Sequence, residues 1–274
     1  MAGGEGLRLR PLTNDSPKAM ILAAGKPLLQ WVLEWLRANM IHNIVIGVAY
    51  KKEKITEYFG DGARLGLRIT YSNHTVEGGT GEGFRLAIER YVDDDLFLAM
   101  NGDELVDINV SDFTLCHRSN GGIATIAIGP LRSPYGIVEL DGNDVVGFQE
   151  KPIIRSQYVS VGTYIFSREI VQYLPEKGNV ERTTFPQLAS MRKLKAYVHG
   201  GFWATVNTIK DLQDVEYELK RRQRLDERSG LQQMSYSRQK SSLGPEYSTS
   251  DLDLTAVLRR KEAAQDEGDS KQVT

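Results

Sequence analysis

Apolar residues recur along this chain in two alternating rhythms. Leu28, Leu29, Val32, Leu33 and Leu36 share one face at helical spacing, and Pro27 suits a first turn, so residues 27–39 read as a helix. Ile44–Val48 carries no polar side chain, as expected of a strand covered on both faces. Lys51–Phe59 reads as a short amphipathic helix stopped by Gly60-Asp61-Gly62. A strand near Leu67–Tyr71, a helix near Gly83–Tyr91 and a strand over Leu96–Met100 come next. Strand alternating with helix predicts an α/β fold with a parallel sheet and helical crossovers.

The second half changes rhythm. Ile123–Ile128, Tyr135–Leu140, Val145–Gln149 and Tyr158–Phe166 are closely spaced strand candidates with few helices between them. They predict an antiparallel or mixed sheet carrying a substrate lobe. Leu194–Val198 reads as a further strand and Thr208–Arg228 as a helix that grows more charged towards its end. From Ser229 onwards Ser, Gln, Arg, Glu and Asp dominate, which predicts a flexible tail with a possible short helix over 250–265. The expected organisation is one domain over 1–228, halved near residue 110, followed by the tail 229–274.

Composition narrows the function classes. Of 274 residues, 41% are hydrophobic, enough for a sizeable core, and the net charge of −2 argues against a nucleic-acid surface. One cysteine, Cys116, cannot form an internal disulfide, which suits a reducing cytoplasm; it reads as a buried or half-buried helix residue. No run approaches eighteen apolar residues, so no membrane span is expected. The four histidines, His42, His74, His117 and His199, are scattered and read as structural.

The chemistry concentrates at the front. Met1-Ala2-Gly3-Gly4-Glu5-Gly6 leads into Leu7-Arg8-Leu9-Arg10-Pro11-Leu12-Thr13 and then Ser16-Pro17-Lys18. Glycines leave backbone N–H groups open to phosphate oxygens, and Arg8 and Lys18 add two cations. No Gly-Lys-Ser/Thr comes after them, so this is not a Walker loop. The third glycine of a dinucleotide fingerprint is missing, which excludes a nicotinamide-dependent dehydrogenase. The string resembles the signature of the sugar-phosphate nucleotidylyltransferases, G-G-x-G-T-R-L-x-P-L-T followed by Pro-Lys, with Leu7 in place of the usual Thr.

Further islands carry the resemblance in the same order over roughly residues 1–215. They are Gly79-Thr80 within Glu77–Gly83, Asn101-Gly102-Asp103, Tyr135-Gly136, Glu150-Lys151-Pro152, Tyr158–Tyr164 and Phe202–Thr208. The resemblance implies a Rossmann-like three-layer αβα sandwich with a mixed, mainly parallel sheet. It also implies transfer of a nucleotidyl group from an NTP to a sugar 1-phosphate. Arg8 and Lys18 would be catalytic, and Asp103 would hold Mg²⁺. Ala2, Gly3, Gly4, Gly6, Gly79, Thr80, Gly102 and Asp103 would bind the nucleotide. Tyr135, Gly136, Glu150, Lys151 and Ser160 would bind the sugar phosphate. GTP with mannose 1-phosphate is favoured and glucose 1-phosphate is next, with dTTP the other nucleotide considered; relatives of this fold often assemble as homo-oligomers.

Several positions depart from the pattern. Thr205 stands where the family has its second metal carboxylate, Asn207 where it has Gly, and Ser160 where it has a sugar-contacting Asn. Glu82 and Gly83 replace small residues; Glu82 reads either as a carboxylate favoured by a helix N-terminus or as an acceptor for the edge of guanine. These departures keep open a regulatory binder of nucleotide or sugar nucleotide as the alternative to an enzyme. In the family an apolar central strand precedes the glycine loop, whereas Met1 stands about where that strand should end. The expectation is a start upstream, because neighbours of a missing central strand would keep unpaired backbone groups.

Overall fold

A computed structural model describes the backbone of residues 1–242 and the side chains of residues 1–225. The chain divides into two units, Met1–Arg221 and Arg222–Thr274. The first half of the larger unit contains β1 (Leu22–Ala23), β2 (Lys26–Pro27), α1 (Leu28–Ala38), β3 (Asn43–Val48), α2 (Lys52–Phe59), β4 (Arg68–Asn73), α3 (Gly79–Tyr91) and β5 (Leu96–Met100). Then come β6 (Glu104–Val106), α4 (Val110–Asn120), β7 (Ala124–Arg132), β8 (Ile137–Asp141), β9 (Asp144–Gln149) and β10 (Ile153–Ser167). The chain continues through α5 (Thr184–Ser190), β11 (Leu194–Val198), β12 (Trp203–Thr205) and α6 (Ile209–Ser242), the last crossing into the second unit.

The largest sheet has the order β11-β7-β10-β5. β11 runs parallel to β7, while β10 is antiparallel to both β7 and β5. Three of the four strands therefore share a direction and β10 alone opposes them. β3 and β4 form a separate parallel pair, and β6 pairs antiparallel with β12. Helices cover both faces of the large sheet, giving three layers. Ile165 of β10 faces a core built with Leu28, Leu33, Ile55, Phe113 and Val215 from α1, α2, α4 and α6. Tyr164 and Phe166, on the opposite face, pack with Phe84 and Ile88 of α3 and with Phe185 and Leu188 of α5. The Tyr164 and Phe166 rings stack at 5.4 Å, and Phe84 meets Phe166 edge-on at 5.6 Å.

Four elements differ from expectation for identifiable reasons. α3 begins at Gly79 rather than near Gly83, because the Glu82 carboxylate reaches back to the N–H and hydroxyl of Thr75, both at 2.7 Å. β10 begins at Ile153 rather than Tyr158, and its extra length is accommodated by irregular register at Ile154/Tyr158 and Ser160/Tyr164. α4 is expected only through the helix reading of Cys116, without bounds; Asn109 sets its start by accepting from the N–H groups of Ser111 and Asp112. α6 runs to Ser242, past the Arg228 end, since its Gln, Arg, Glu and Leu residues are good helix formers. The possible helix over 250–265 lies outside the described residues. Cys116 is half-buried on α4, as expected.

The residues that open the chain lie between β3 and β5. The Met1 ammonium donates to the Met100 carbonyl at 2.6 Å, and the Gly102 N–H donates to the Met1 carbonyl at 2.6 Å. On the other side the Ala2 N–H donates to the Gly47 carbonyl at 2.8 Å, and the Tyr50 N–H to the Gly3 carbonyl at 3.4 Å. Beyond this bridge β3 pairs only with β4 and β5 only with β10 among the described residues. Their facing edges border a cavity of about 840 Å³ lined by Leu29, Leu33, Ile46, Ile88, Leu98 and Ile165, among others. Burial lowers the pKa of the Met1 ammonium to about 6, against the opposing pull of Asp103.

Six Val- and Ile-rich residues fused ahead of Met1 should extend this bridge into a strand, pair both open edges and exchange a buried ammonium for an amide. Differential scanning calorimetry should show the midpoint rising by several degrees, at roughly 2–4 °C per kcal/mol for a domain of this size. A Lys- and Glu-rich extension of equal length should leave it unchanged or lower.

Candidate active site

The glycine segment turns back on Lys18. Gly6 has φ +66°, a left-handed conformation, and a Cβ there would sit 2.9 Å from Thr13 Cγ2 and 3.0 Å from Lys18 Cβ. The Thr13 hydroxyl donates to the Gly6 carbonyl at 2.9 Å and the Lys18 N–H to the Gly4 carbonyl at 3.2 Å. These contacts leave the N–H groups of Gly3, Gly4, Glu5 and Gly6 without a partner among the described residues. A Cβ at Gly4 would meet nothing within 4 Å, so the chain there is open on its outer side. Free N–H groups on an open loop are the donors a phosphate requires.

Lys18 then reaches the end of β5. Its ammonium pairs with the Asp103 carboxylate, and both side chains are largely buried. Gly102 beside it makes room for the opening residues, since a Cβ there would sit 3.0 Å from the Met1 carbonyl and 3.2 Å from Ala2 Cβ. Lys18 Nζ and Arg8 Nη2 both donate to Asn207 Oδ1, each at 3.0 Å. Asn207 Nδ2 donates in turn to Thr205 Oγ1 at 3.3 Å, and the Asn207 N–H is held by Asp211 Oδ2 at 2.9 Å. Asn207 thus gathers both expected catalytic cations onto one oxygen at the end of β12.

One further residue of this cluster does not stand out in the sequence. Glu104 follows Asp103 and sits opposite Thr205 in the β6–β12 pair. Burial pushes its carboxyl up to about 8, the Asp103 charge adds to the shift, and Lys18 and a hydrogen bond from Thr205 oppose it. The only signal in the sequence is its place beside Asp103, a charge entering a strand whose next two residues, Leu105 and Val106, are apolar.

The other expected residues form two groups. Tyr135, Gly136, Glu150 and Lys151 meet at the base of the β8–β9 hairpin. A Cβ at Gly136 would sit 3.1 Å from Glu150 Oε2, and Lys151 Nζ lies 3.4 Å from Glu150 Oε1. Tyr135 is 75% exposed, so its ring is open to a ligand. Ser160 lies apart from the hairpin on β10, where its hydroxyl accepts from the Gly162 N–H at 3.3 Å. The second glycine segment is engaged within the protein: Thr80 N–H donates to Asn179 Oδ1 at 3.2 Å, Thr80 Oγ1 to Glu181 at 3.1 Å, and the Gly81 N–H to the Gly178 carbonyl at 2.8 Å. Glu82 is committed to Thr75, which lowers its pKa and supports the helix-start reading of that carboxylate over the guanine one.

Known proteins share this arrangement of sequence and fold. The profile of the nucleotidyl transferase family matches residues 1–222. The chain belongs to that family. It is 34% identical over 208 residues to a UTP–glucose-1-phosphate uridylyltransferase of Synechocystis, covering 69% of this chain and 54% of the relative. It is 33% identical over 219 residues to a mannose-1-phosphate guanylyltransferase of Mycobacterium tuberculosis, covering 77% of this chain and 61% of the relative. The chain therefore spans little more than half the length of these two relatives. Among solved structures, HddC of Yersinia pseudotuberculosis, complexed with GMP-PN, superposes with a TM-score of 0.61 at 23% identity, over 80% of this chain and 96% of that one. No helix among the described residues of this nucleotidyl transferase family member is long and apolar enough to cross a membrane.

Glu104 gives the family member a distinctive pH response in metal-free buffer. Its folded pKa of about 8 lies above the unfolded value near 4.5, so the folded state holds a proton that the unfolded state releases as pH rises between them. Stability from this group is present below that window and lost across it. Urea titrations of the native chain and Glu104→Gln should therefore diverge between pH 5 and 8, the native chain losing on the order of a few kcal/mol relative to the variant.

Proposed function

We propose that this chain transfers a nucleotidyl group from an NTP to a sugar 1-phosphate, releasing pyrophosphate. The observation that carries the reading is the convergence of Lys18, Arg8 and Asp103 beside a loop of unpartnered N–H groups. The sugar-phosphate oxygen attacks the α-phosphorus and pyrophosphate leaves, so positioning and charge neutralisation suffice. The N–H groups of Gly3–Gly6 cradle the triphosphate. Arg8, exposed and tethered to Asn207, swings onto the leaving pyrophosphate. Lys18, held beside Asp103, bridges the α-phosphate and the incoming oxygen. Glu150 and Lys151 at the hairpin take the sugar hydroxyls and its phosphate.

The donor set also fits Mg²⁺, which prefers carboxylate oxygen at strand ends and keeps waters and substrate phosphates as its other ligands. Asp103 would hold it. No group of three or more His, Cys, Asp or Glu side chains converges on a metal site among the described residues, so the protein would supply only part of the shell. When bound, the ion draws charge from the phosphoryl oxygens. The activities named for the two relatives, one on glucose 1-phosphate and one on mannose 1-phosphate, support a hexose 1-phosphate here; we favour mannose 1-phosphate with GTP, glucose 1-phosphate next.

One observation favours a second reading. Asn207 Oδ1 already satisfies both Arg8 and Lys18, and Thr205 offers no charge. A chain so arranged could bind nucleotide or sugar nucleotide and regulate a partner without turnover.

Pyrophosphate release with Mg²⁺ should be followed over four NTPs and dTTP against several hexose 1-phosphates. The proposal predicts turnover with at least one pair, and a loss of about a hundredfold or more in kcat/KM for Lys18→Ala. Silence of the native chain, with activity appearing only in Thr205→Asp, would establish the regulatory reading instead.

A further inference from the structure

The nucleotidyl-transfer reading, on which this inference rests, needs Arg8 and Lys18 free for phosphate, yet one side chain of the protein already holds both. Asn207 stands where the resembled pattern has glycine. Lys18 Nζ and Arg8 Nη2 each lie 3.0 Å from its Oδ1. The atom between them must be the amide oxygen, because the amide nitrogen there would set a donor against two cationic donors. Among the described residues Arg8 makes no other hydrogen bond or ion pair.

The backbone of Asn207 is fixed independently of this contact. Its N–H and that of Thr208 both donate to Asp211 Oδ2, at 2.9 and 2.8 Å, and the Asp211 N–H donates to Thr208 Oγ1 at 3.2 Å. Thr208 and Asp211 thus form a capping box at the start of α6. Val206, on the other side, is fully buried. The carboxamide is the part of Asn207 that can turn away, held beyond the cations only by a 3.3 Å hydrogen bond to Thr205 Oγ1. One oxygen shared by a lysine and an arginine is the contact a non-bridging phosphate oxygen would make. The amide oxygen is neutral, whereas a phosphate oxygen is ionised and forms hydrogen bonds roughly twice as strong. A triphosphate can therefore displace the carboxamide, at the cost of the two hydrogen bonds that it breaks.

We propose that Asn207 Oδ1 is an internal stand-in for a phosphate oxygen. It keeps Arg8 and Lys18 gathered beside Asp103 before the nucleotide arrives, yields them to the triphosphate, and reclaims them as pyrophosphate leaves. Its competition lowers the affinity for polyphosphate, because only a fraction of the chains have both cations free at any moment. The side chain at position 207 thereby sets how tightly substrate and product phosphates are held.

The test is binding of inorganic pyrophosphate to the full chain in metal-free buffer, followed by isothermal titration calorimetry, with circular dichroism as the check on folding. Asn207→Ala removes the oxygen and spares the Asp211 cap, which uses backbone N–H groups. It should tighten pyrophosphate by roughly tenfold, the yield of one hydrogen bond to a charged group. The gain should shrink in an Arg8→Ala background, where one of the two hydrogen bonds is already gone. A side chain that merely positions the cations would give the opposite sign. Weaker binding by Asn207→Ala, equal affinities, no binding by either chain, or a gain undiminished without Arg8 would overturn the proposal. Turnover of the native chain in the pyrophosphate-release assay beside equal affinities would overturn this assignment alone. No turnover by the native chain or by Asn207→Ala, beside the expected gain in affinity, would overturn the nucleotidyl-transfer reading and leave the stand-in role intact.

Discussion

The pairing of Lys18 with Asp103 is the contact on which the rest of the site depends. It joins two segments eighty-five positions apart, the end of the glycine loop and the end of β5. Backbone bonds at Ala2, Gly3, Gly4 and Gly6 and the Thr13 hydroxyl define the path of the loop, and the ion pair adds the tie between its end and the end of β5. A largely buried ion pair contributes little to net stability because desolvation offsets attraction. Its value lies in placement, since a cation and a carboxylate held together at a strand end form a ready seat for a phosphate and its counter-ion. Asn207 completes the arrangement by drawing Arg8 and Lys18 to one oxygen.

The fold delivers these groups through its strand ends. β5 leads into Asn101-Gly102-Asp103, and Gly102 lets the opening residues of the chain bridge it to Gly47 near the end of β3. The β6–β12 pair then brings Thr205 against Glu104 and carries Asn207 to the cations. Glycine recurs where backbone or side chain must come close: Gly6 against Lys18, Gly102 against Met1, Gly162 against Glu104. Beyond the bridge made by the opening residues, β3 and β5 are not paired with each other among the described residues, and a cavity borders their facing edges.

Much of this was legible from residue order. The helix at Leu28–Ala38 follows from its apolar face at helical spacing, and the strands at Asn43–Val48 and Leu96–Met100 follow from short unbroken apolar runs. Arg8 and Lys18 stand together in one glycine-rich motif, whereas Asp103 is joined to them only by the resemblance that Asn101-Gly102-Asp103 carries. The features hidden from the sequence depend on contacts between distant segments. The engagement of Thr80 by Asn179 and Glu181 spans about a hundred positions, and the pairing of Glu104 with Thr205 rests on register between strands of three residues each. Glu82 could be read two ways until Thr75 was seen to occupy its carboxylate.

The central claim is that the cluster of Lys18, Arg8 and Asp103 joins and parts a nucleotidyl group and a sugar 1-phosphate. The most direct measurement runs the reaction backwards. The full chain, Mg²⁺ and pyrophosphate would be mixed with GDP-mannose, UDP-glucose or dTDP-glucose and followed by phosphorus nuclear magnetic resonance. The account predicts that with at least one of these the signals of an NTP and a sugar 1-phosphate grow together in equal amounts. Saturable binding of a sugar nucleotide with neither product formed from any of them would contradict it.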